Sequence, residues 1–211
     1  MTVKDKIAKT LRENIVLGTL NPGERLIESE LSATHRVSRG MIREALTLLS
    51  NEGFVTITPN KGAAVAKIST QDLADFYRLL AILERKAIEW ALPSISKADI
   101  DNLLRVNDRL RETMISDSEA RLYRWAELNL SFHRFFWDRC GNAKLGWLVE
   151  IIRQRIFRYR YTSLMITSYD DYLKDHAQII SGIKKKNPEE AGQAMETHIN
   201  RALNVLMEFF S

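Results

Sequence analysis

The sequence predicts a mainly α fold in two units: a short helical unit with a small β-hairpin over residues 1–68, and an all-α helical bundle over 69–211. Three observations carry this. Apolar residues recur at helical spacing through most of the chain. That period gives way once, around residues 54–68, to two runs flanking Pro59-Asn60-Lys61-Gly62, which reads as a tight turn between strands. Beyond residue 69 every long segment keeps the helical period and none alternates.

Taken in order, Val3, Ile7, Leu11 and Ile15 stand four apart with Ala8 beside them, the stripe of an amphipathic helix from Val3 to Leu17 that Gly18 stops. Asn21-Pro22-Gly23 is a turn. A short helix is predicted from about Glu28 to Thr34, then a break at His35-Arg36-Val37. Ser38 is a good N-cap for a helix running through Met41, Ile42, Ala45, Leu46 and Leu49 to Gly53. Phe54–Thr58 and Ala63–Ile68 are the hairpin strands. Six helices follow. Ser69 or Thr70 caps the first, ended by Pro93, and Ser96 caps the second. The third spans about Ser118 to Arg139, the fourth Ala143 to Tyr161 and the fifth Tyr169 to Lys185. The sixth opens on Asn187-Pro188-Glu189-Glu190, with Pro in the first position and Glu in the third.

Composition bounds the function classes. With 45% apolar and 27% charged residues the chain is ordinary for a globular protein, and 9 Gly and 4 Pro exclude a collagen-like or linker sequence. The single Cys140 excludes an internal disulfide framework and any CxxC site. The opening MTVKDKIAKT lacks the apolar run of a signal peptide, and no stretch approaches 18 uncharged apolar residues. The expectation is a cytoplasmic protein with no membrane partner. Net charge is +4, and most of the positive excess lies in residues 1–68. That is compatible with a polyanion partner there.

A short helix, a brief break and a longer helix opening Ser38-Arg39-Gly40-Met41-Ile42-Arg43 have helix-turn-helix organisation. In that motif the N-terminal residues of the second helix meet base edges. Arg39 and Arg43, four apart, project from one face, and an Arg fork bonds guanine O6 and N7 together or clamps a phosphate. Ser38 can cap the helix and also donate to a phosphate. The hairpin is placed as a wing, with Lys61 toward phosphate and Gly62 letting the backbone approach the groove closely. Spacing alone leaves open a plainer reading, in which both arginines are merely exposed helix positions with Glu44 and Glu52 nearby.

Residues 15–66 closely resemble the winged-helix domain of the GntR family of bacterial transcription regulators. The matching stretches are Ile15-Val16-Leu17-Gly18-Thr19-Leu20-Asn21-Pro22-Gly23-Glu24-Arg25-Leu26, Val37-Ser38-Arg39 and Arg43-Glu44-Ala45-Leu46. They continue through Leu49-Ser50-Asn51-Glu52-Gly53-Phe54-Val55 and Pro59-Asn60-Lys61-Gly62-Ala63-Ala64-Val65. The resemblance implies that Ser38, Arg39, Gly40 and Arg43 occupy DNA-contacting positions and that Gly62 is the wing tip. Gly40-Met41-Ile42 departs from the small residue, Pro and Val frequent in the family, which implies an altered sequence preference with the same binding mode.

Three of the four histidines, His133, His176 and His198, lie beyond residue 69, each on the apolar face of a different helix, and Asn129 stands four before His133. Imidazole is the commonest protein ligand for Zn²⁺ and suits Ni²⁺ and Fe²⁺. The residues alone leave both readings open, a metal site or hydrogen-bonded core histidines. The all-α region resembles the FCD-type effector domain of the FadR-type subgroup, many of whose members carry Asp-x-x-x-His and two later histidines that bind a divalent metal beside the effector cavity. Here that set maps to Asn129, His133, His176 and His198, with a neutral amide replacing the usual carboxylate. The metal expected is a divalent transition ion, Zn²⁺ or Ni²⁺, with occupancy falling as pH drops through the imidazole range near 6–7.

In relatives that bind carboxylates, an Arg often stands one turn before the position matching Glu84; here that position is Leu80, and Arg78 points to another face. A simple organic acid held by that Arg is therefore disfavoured. Arg153, Arg155, Arg158 and Arg160 are taken as a basic, solvated or dimer-facing stripe in preference to an anion anchor. The expectation is a homodimeric DNA-binding transcription regulator, read as a repressor. It binds a pseudo-palindromic double-stranded operator through residues 1–68 and senses a small-molecule effector through the effector-binding and dimerisation domain of residues 69–211. The rival readings are a three-His metal-dependent enzyme and a ligand-independent DNA-binding protein. Against the enzyme, the sequence has no HExxH and no evident base paired with a nucleophile.

Overall fold

The computed structural model describes residues 2–16, 18–67, 69–115, 121–166 and 168–210, except the side chains of Tyr123, Arg158, Arg160, Tyr161, Leu164 and Met165. The expected element ends at Leu17, Ile68 and Ser118 fall outside the described residues. The chain divides into two compact units, Met1–Ser69 and Thr70–Ser211.

The first unit is a winged helix-turn-helix. Helix α1 (Val3–Val16) buries Ile7, Ala8, Leu11, Arg12 and Val16, while Val3 is exposed and Ile15 half-buried. The buried arc is thus rotated from the stripe predicted through Val3 and Ile15. Arg12 lies on that arc because its guanidinium reaches Glu52, Nε at 2.9 Å and Nη2 at 2.6 Å from Oε2, beside the Phe54 ring. An Arg that satisfies its donors in this way keeps its stem in the core.

Strand β1 (Arg25–Leu26) precedes α2 (Glu28–His35) and α3 (Arg39–Asn51), and β2 (Val55–Thr58) and β3 (Gly62–Val65) form the wing. Ser38 caps α3 through Met41 N–H. Gly53 and Gly62 adopt φ of 81° and 85°, left-handed values that favour glycine and let the chain leave α3 and turn at the wing tip. The predicted hairpin gains a third strand: β1 pairs antiparallel to β3, Arg25 opposite Ala64, for a sheet order β1-β3-β2. Two residues are too few for a period to register.

The second unit is all-helical among the described residues. It comprises α4 (Thr70–Ala91), a 3₁₀ turn at Leu92–Ser94, α5 (Lys97–Ile115), α6 (Arg121–Trp137), α7 (Ala143–Arg155), α8 (Phe157–Ile166), α9 (Tyr169–Lys184) and α10 (Pro188–Phe209). Ser96 and Asp99 cap α5 reciprocally, Asp99 N–H to Ser96 Oγ and Ser96 N–H to Asp99 Oδ2. The helix predicted over 143–161 is two helices, broken at Ile156 and ending at Ile166. Buried Leu145, Val149, Ile152, Ile156 and Tyr159 keep helical spacing across the break, so the apolar pattern carries no sign of it. None of the described helices is long and apolar enough to cross a membrane.

Helix α4 is central, packed against α10, α7 and α6, with α9 folded back on α10. Arg85 binds α4 to α10 through Glu196 and Glu189, each at 2.7 Å. The α9–α10 turn is closed by Asn187, whose side chain accepts from Glu190 N–H. At Gly182 a Cβ would stand 2.6 Å from Ala191 N, so only glycine permits this approach of the two backbones. Gly182→Ala is therefore expected to lower stability by about 2–3 kcal/mol, as overpacking against rigid backbone does. Urea unfolding checks it, and a stability equal to wild type would contradict the close-packed turn.

Candidate metal centre and nucleic-acid interface

Four helices of the second unit turn polar side chains inward. Helical spacing puts Asn129 and His133 on one face of α6, and α9 brings Asp175 and His176, α10 His198 and α4 Glu84, all buried. The three histidines converge so that one ligand nitrogen from each lies within 4.8 Å of the others. Asn129, His133 and His198 share a cavity of about 30 Å³ with Leu80 and Arg153.

The hydrogen bonds behind the rings set their tautomers. His133 Nδ1 is 3.0 Å from Glu84 Oε2, and His198 Nδ1 is 3.3 Å from Asp175 Oδ2. Burial works to raise the Glu84 pKa, but the adjacent Arg153 and His133 together outweigh it and Glu84 is lowered to about 2. Asp175 is likewise held below the ordinary carboxylate range, its bonds with His198 and Arg201 overcoming burial. Arg201 grips Asp175 with two bonds, of 2.8 and 3.1 Å. An ionised carboxylate only accepts, so each Nδ1 carries a proton toward it, and the neutral His133 keeps its lone pair on Nε2. The two Nε2 atoms face each other at 3.3 Å. A contact this short needs a proton or a metal ion between the two nitrogens. Two Zn–N bonds of 2.0–2.1 Å at the tetrahedral angle separate their nitrogens by about 3.3 Å.

Two further groups fit the same demand. His176 is buried and stacked on Phe132, ring centroids 3.9 Å apart, with neither ring nitrogen hydrogen-bonded, and Asn129 Oδ1 also lacks a partner among the described residues. Native interiors rarely leave such atoms unsatisfied without a ligand, ion or water to meet them. Burial pushes His133 down to about 3 and His176 well below its ordinary value. Both rings are therefore neutral at neutral pH.

Sequence reasoning missed the carboxylates: Glu84 serves there only as a landmark, and Asp175 is not singled out. It also misplaced Arg153. Arg155 is exposed, but Arg153 is buried, lies over the Trp137 ring and bonds Glu84 Oε1 through Nε at 2.7 Å and through Nη2. Its place beside Ile152 and one turn after Val149, on the apolar arc of α7, was the available signal. Arg158 and Arg160 lie outside the described side chains.

In the first unit, Ser38, Arg39 and Gly40 are exposed at the head of α3, and Lys61 and Gly62 are exposed at the wing tip. Arg43, also exposed, is held by Glu28 of α2, Nε to both carboxylate oxygens at 2.9 and 2.8 Å. Glu44 and Glu52, expected near the arginines, are engaged elsewhere, with Lys4 at 3.8 Å and with Arg12. Arg39 makes no ion pair among the described residues, and Arg43 keeps its terminal nitrogens free of the Glu28 contact.

The comparisons with known proteins agree with this division. The model for bacterial regulatory proteins, gntR family, matches residues 3–65, and the FCD domain model matches residues 75–201. The chain is 30% identical over 202 residues to the HTH-type transcriptional regulator YdhC of Bacillus subtilis, covering 90% of this chain and 84% of that protein. It is 27% identical over 201 residues to the HTH-type transcriptional repressor RspR of Escherichia coli, covering 93% and 86%. Among solved structures, E. coli McbR/YncC superposes with a TM-score of 0.66 over the whole of both chains at 17% identity. Lar of Listeria monocytogenes gives 0.68 over 99% and 98% at 20% identity.

The buried histidines dictate a pH response of the metal-free protein. His133 and His176 are neutral when folded and regain an ordinary pKa near 6.5 when unfolded, so the unfolded state binds more protons below that pH. Stability is complete above about pH 6.5 and falls as pH drops from 6.5 toward the lowered folded values, by up to about 1.4 kcal/mol per pH unit for each ring. Thermal unfolding in EDTA from pH 7 to 5 should show this decline, and His176→Leu should make it shallower. A flat profile in wild type would contradict neutral burial.

Proposed function

Because the chain belongs to the gntR family of bacterial regulatory proteins and carries an FCD domain, it is a DNA-binding transcription regulator, and we propose that it is a cytoplasmic homodimeric repressor whose operator affinity is set by a small effector bound at a metal in the helical domain. The observation that carries the metal is the pair of facing Nε2 atoms, 3.3 Å apart, whose Nδ1 protons are committed to Glu84 and Asp175. His133, His198, His176 and Asn129 Oδ1 would hold the ion, Zn²⁺ or Ni²⁺. When bound it supplies a Lewis-acid position for an anionic or neutral oxygen of the effector.

This chain's own residues do the rest. Glu84 and Asp175 orient the ligating rings and hold their protons on Nδ1. Arg153 places a positive charge on the cavity wall, and Leu80 and Ala202 give it an apolar side. An effector favouring one packing of the helices shifts that population and with it the binding of the DNA heads. The repressor assignment draws on relatives such as RspR. Dimerisation is supported by α4 and α7, which pack together while leaving Leu79, Ile82, Trp90 and Trp147 exposed, large apolar residues of the kind a symmetric partner covers.

Ser38, Arg39, Gly40 and Arg43 form the reading head, with Lys61 and Gly62 on the wing. Arg39→Ala and Arg43→Ala should each cost about 1–3 kcal/mol of operator binding. Lys61→Ala should weaken operator and random duplex alike and lower the salt slope by about 1. Fluorescence anisotropy at several salt concentrations measures both, and unchanged operator affinity in both arginine variants would refute the assignment.

Elemental analysis of protein purified without a histidine tag should find close to one divalent ion per chain, and zinc should raise the melting temperature of stripped protein. His176→Ala and His198→Ala should abolish both effects. Asn129→Asp, by adding a negative ligand, should tighten zinc binding roughly tenfold or more. No bound metal and no thermal shift with zinc or nickel at neutral pH would overturn the metal reading.

A further inference from the structure

We propose that Arg36, in the turn between α2 and α3, grips a DNA phosphate at the rim of the major groove, a contact outside the reading head and wing named above. The inference rests on the winged helix-turn-helix being the unit that meets DNA. Backbone conformation leads to it. Arg36 ends α2 with φ of 54° and ψ of 45°, the left-handed region. There the Cβ of an L residue crowds a carbonyl oxygen, so helices that end this way usually carry glycine, less often asparagine, at this point. The turn is otherwise well made. Arg36 N–H bonds Ala33 O at 3.3 Å, and Val37 N–H bonds Ser32 O at 3.2 Å. Glycine would make the same turn without strain, so the turn itself gives no reason for an arginine.

The side chain supplies the reason. Arg36 is exposed and makes no ion pair or side-chain hydrogen bond among the described residues. Glu28 and Glu44 of the flanking helices are engaged by Arg43 and Lys4. A cation at a helix C-terminus gains a little from the helix dipole, but one placed earlier in the last turn of α2 would gain it without left-handed backbone. In a helix-turn-helix the first helix crosses the phosphate backbone and the second enters the major groove. A residue in the turn between them stands where the chain passes from one to the other. Arg36 is two positions before Ser38, the cap of α3, a span of about 7 Å at most. Its long side chain therefore stays within reach of the phosphates that flank the groove. A guanidinium forks onto two phosphate oxygens, and such a contact positions the protein without reading sequence.

The test uses the full chain and two duplexes, one selected from a random library by the wild-type protein and one scrambled. Anisotropy is read across a salt series. Arg36→Gly should bind both duplexes roughly fivefold more weakly per bound chain near 0.15 M salt, with the salt slope lower by about 1 per chain. Arg36→Asn, which also accepts left-handed backbone, should behave alike. Arg36→Lys keeps the charge and should stay within about twofold of wild type. Hydrogen exchange over residues 28–51 should be as slow in Arg36→Gly as in wild type, or slower, because glycine removes the strain. A merely structural arginine would show the opposite. Wild-type affinity and salt slope in both Arg36→Gly and Arg36→Asn would overturn the proposal. An equal loss in Arg36→Lys would overturn the role of the charge, and a loss confined to the selected duplex would overturn the phosphate assignment. Faster exchange in Arg36→Gly would overturn the backbone argument. If Arg39→Ala and Arg43→Ala also bind like wild type, the reading head falls too, whereas losses in those two alone remove only Arg36.

Discussion

Two carboxylates, Glu84 on α4 and Asp175 on α9, are buried behind a histidine cluster, and the polar arrangement of the helical unit follows from how each is satisfied. Each receives a proton-bearing Nδ1 from a histidine on another helix and a guanidinium from a third position, Arg153 on α7 and Arg201 on α10. These bonds join α4, α6 and α7 on one side and α9 with α10 on the other. They also fix which nitrogen of each ring is bare. Buried ion pairs contribute little net stability because desolvation offsets their attraction. The cluster leaves three polar atoms, Asn129 Oδ1 and both ring nitrogens of His176, without partners among the described residues, a pattern concentrated at ligand sites.

The first unit solves a different problem, that of presenting cations rather than burying them. Arg12 is drawn into the core by Glu52, which anchors α1 to the end of α3. Arg39 and Arg43 on α3 and Lys61 on the wing remain exposed. Glu28 engages Arg43 through its Nε, which directs the guanidinium without closing its terminal edge, and the pair is exposed enough for solvent and salt to keep it weak. Glycines with left-handed φ at 53 and 62 set the start and the tip of the wing. Acidic partners therefore hold the scaffold, and the arginine and lysine ends face outward.

Much of this was legible because it depends on local signals. The Ser38 cap, the Asn60-Lys61-Gly62 turn, the Asn187-Pro188 helix start and the inward faces of His133, His176 and His198 all follow from spacing and turn chemistry. What escaped depends on partners distant in sequence. Arg12 looks like a surface residue until Glu52, forty positions on, is placed beside it. Arg153 reads as one of four basic residues until Glu84 is opposite, and then it is a cavity wall. Strand β1 is two residues long and is defined only by its pairing to β3. The break at Ile156 is invisible because the buried positions keep their spacing through it.

The central claim is that the two carboxylates take the Nδ1–H of His133 and of His198 and so turn the two Nε2 atoms toward each other. Long-range ¹H–¹⁵N correlation spectra of the metal-free protein at neutral pH test this directly, with each ring assigned by single histidine substitutions. The account predicts a neutral, Nδ1-protonated ring for His133 and a proton on Nδ1 of His198, with a change confined to Nε2 on adding zinc. An Nδ1 without its proton at either residue, or an imidazolium at His133 at neutral pH, would contradict it.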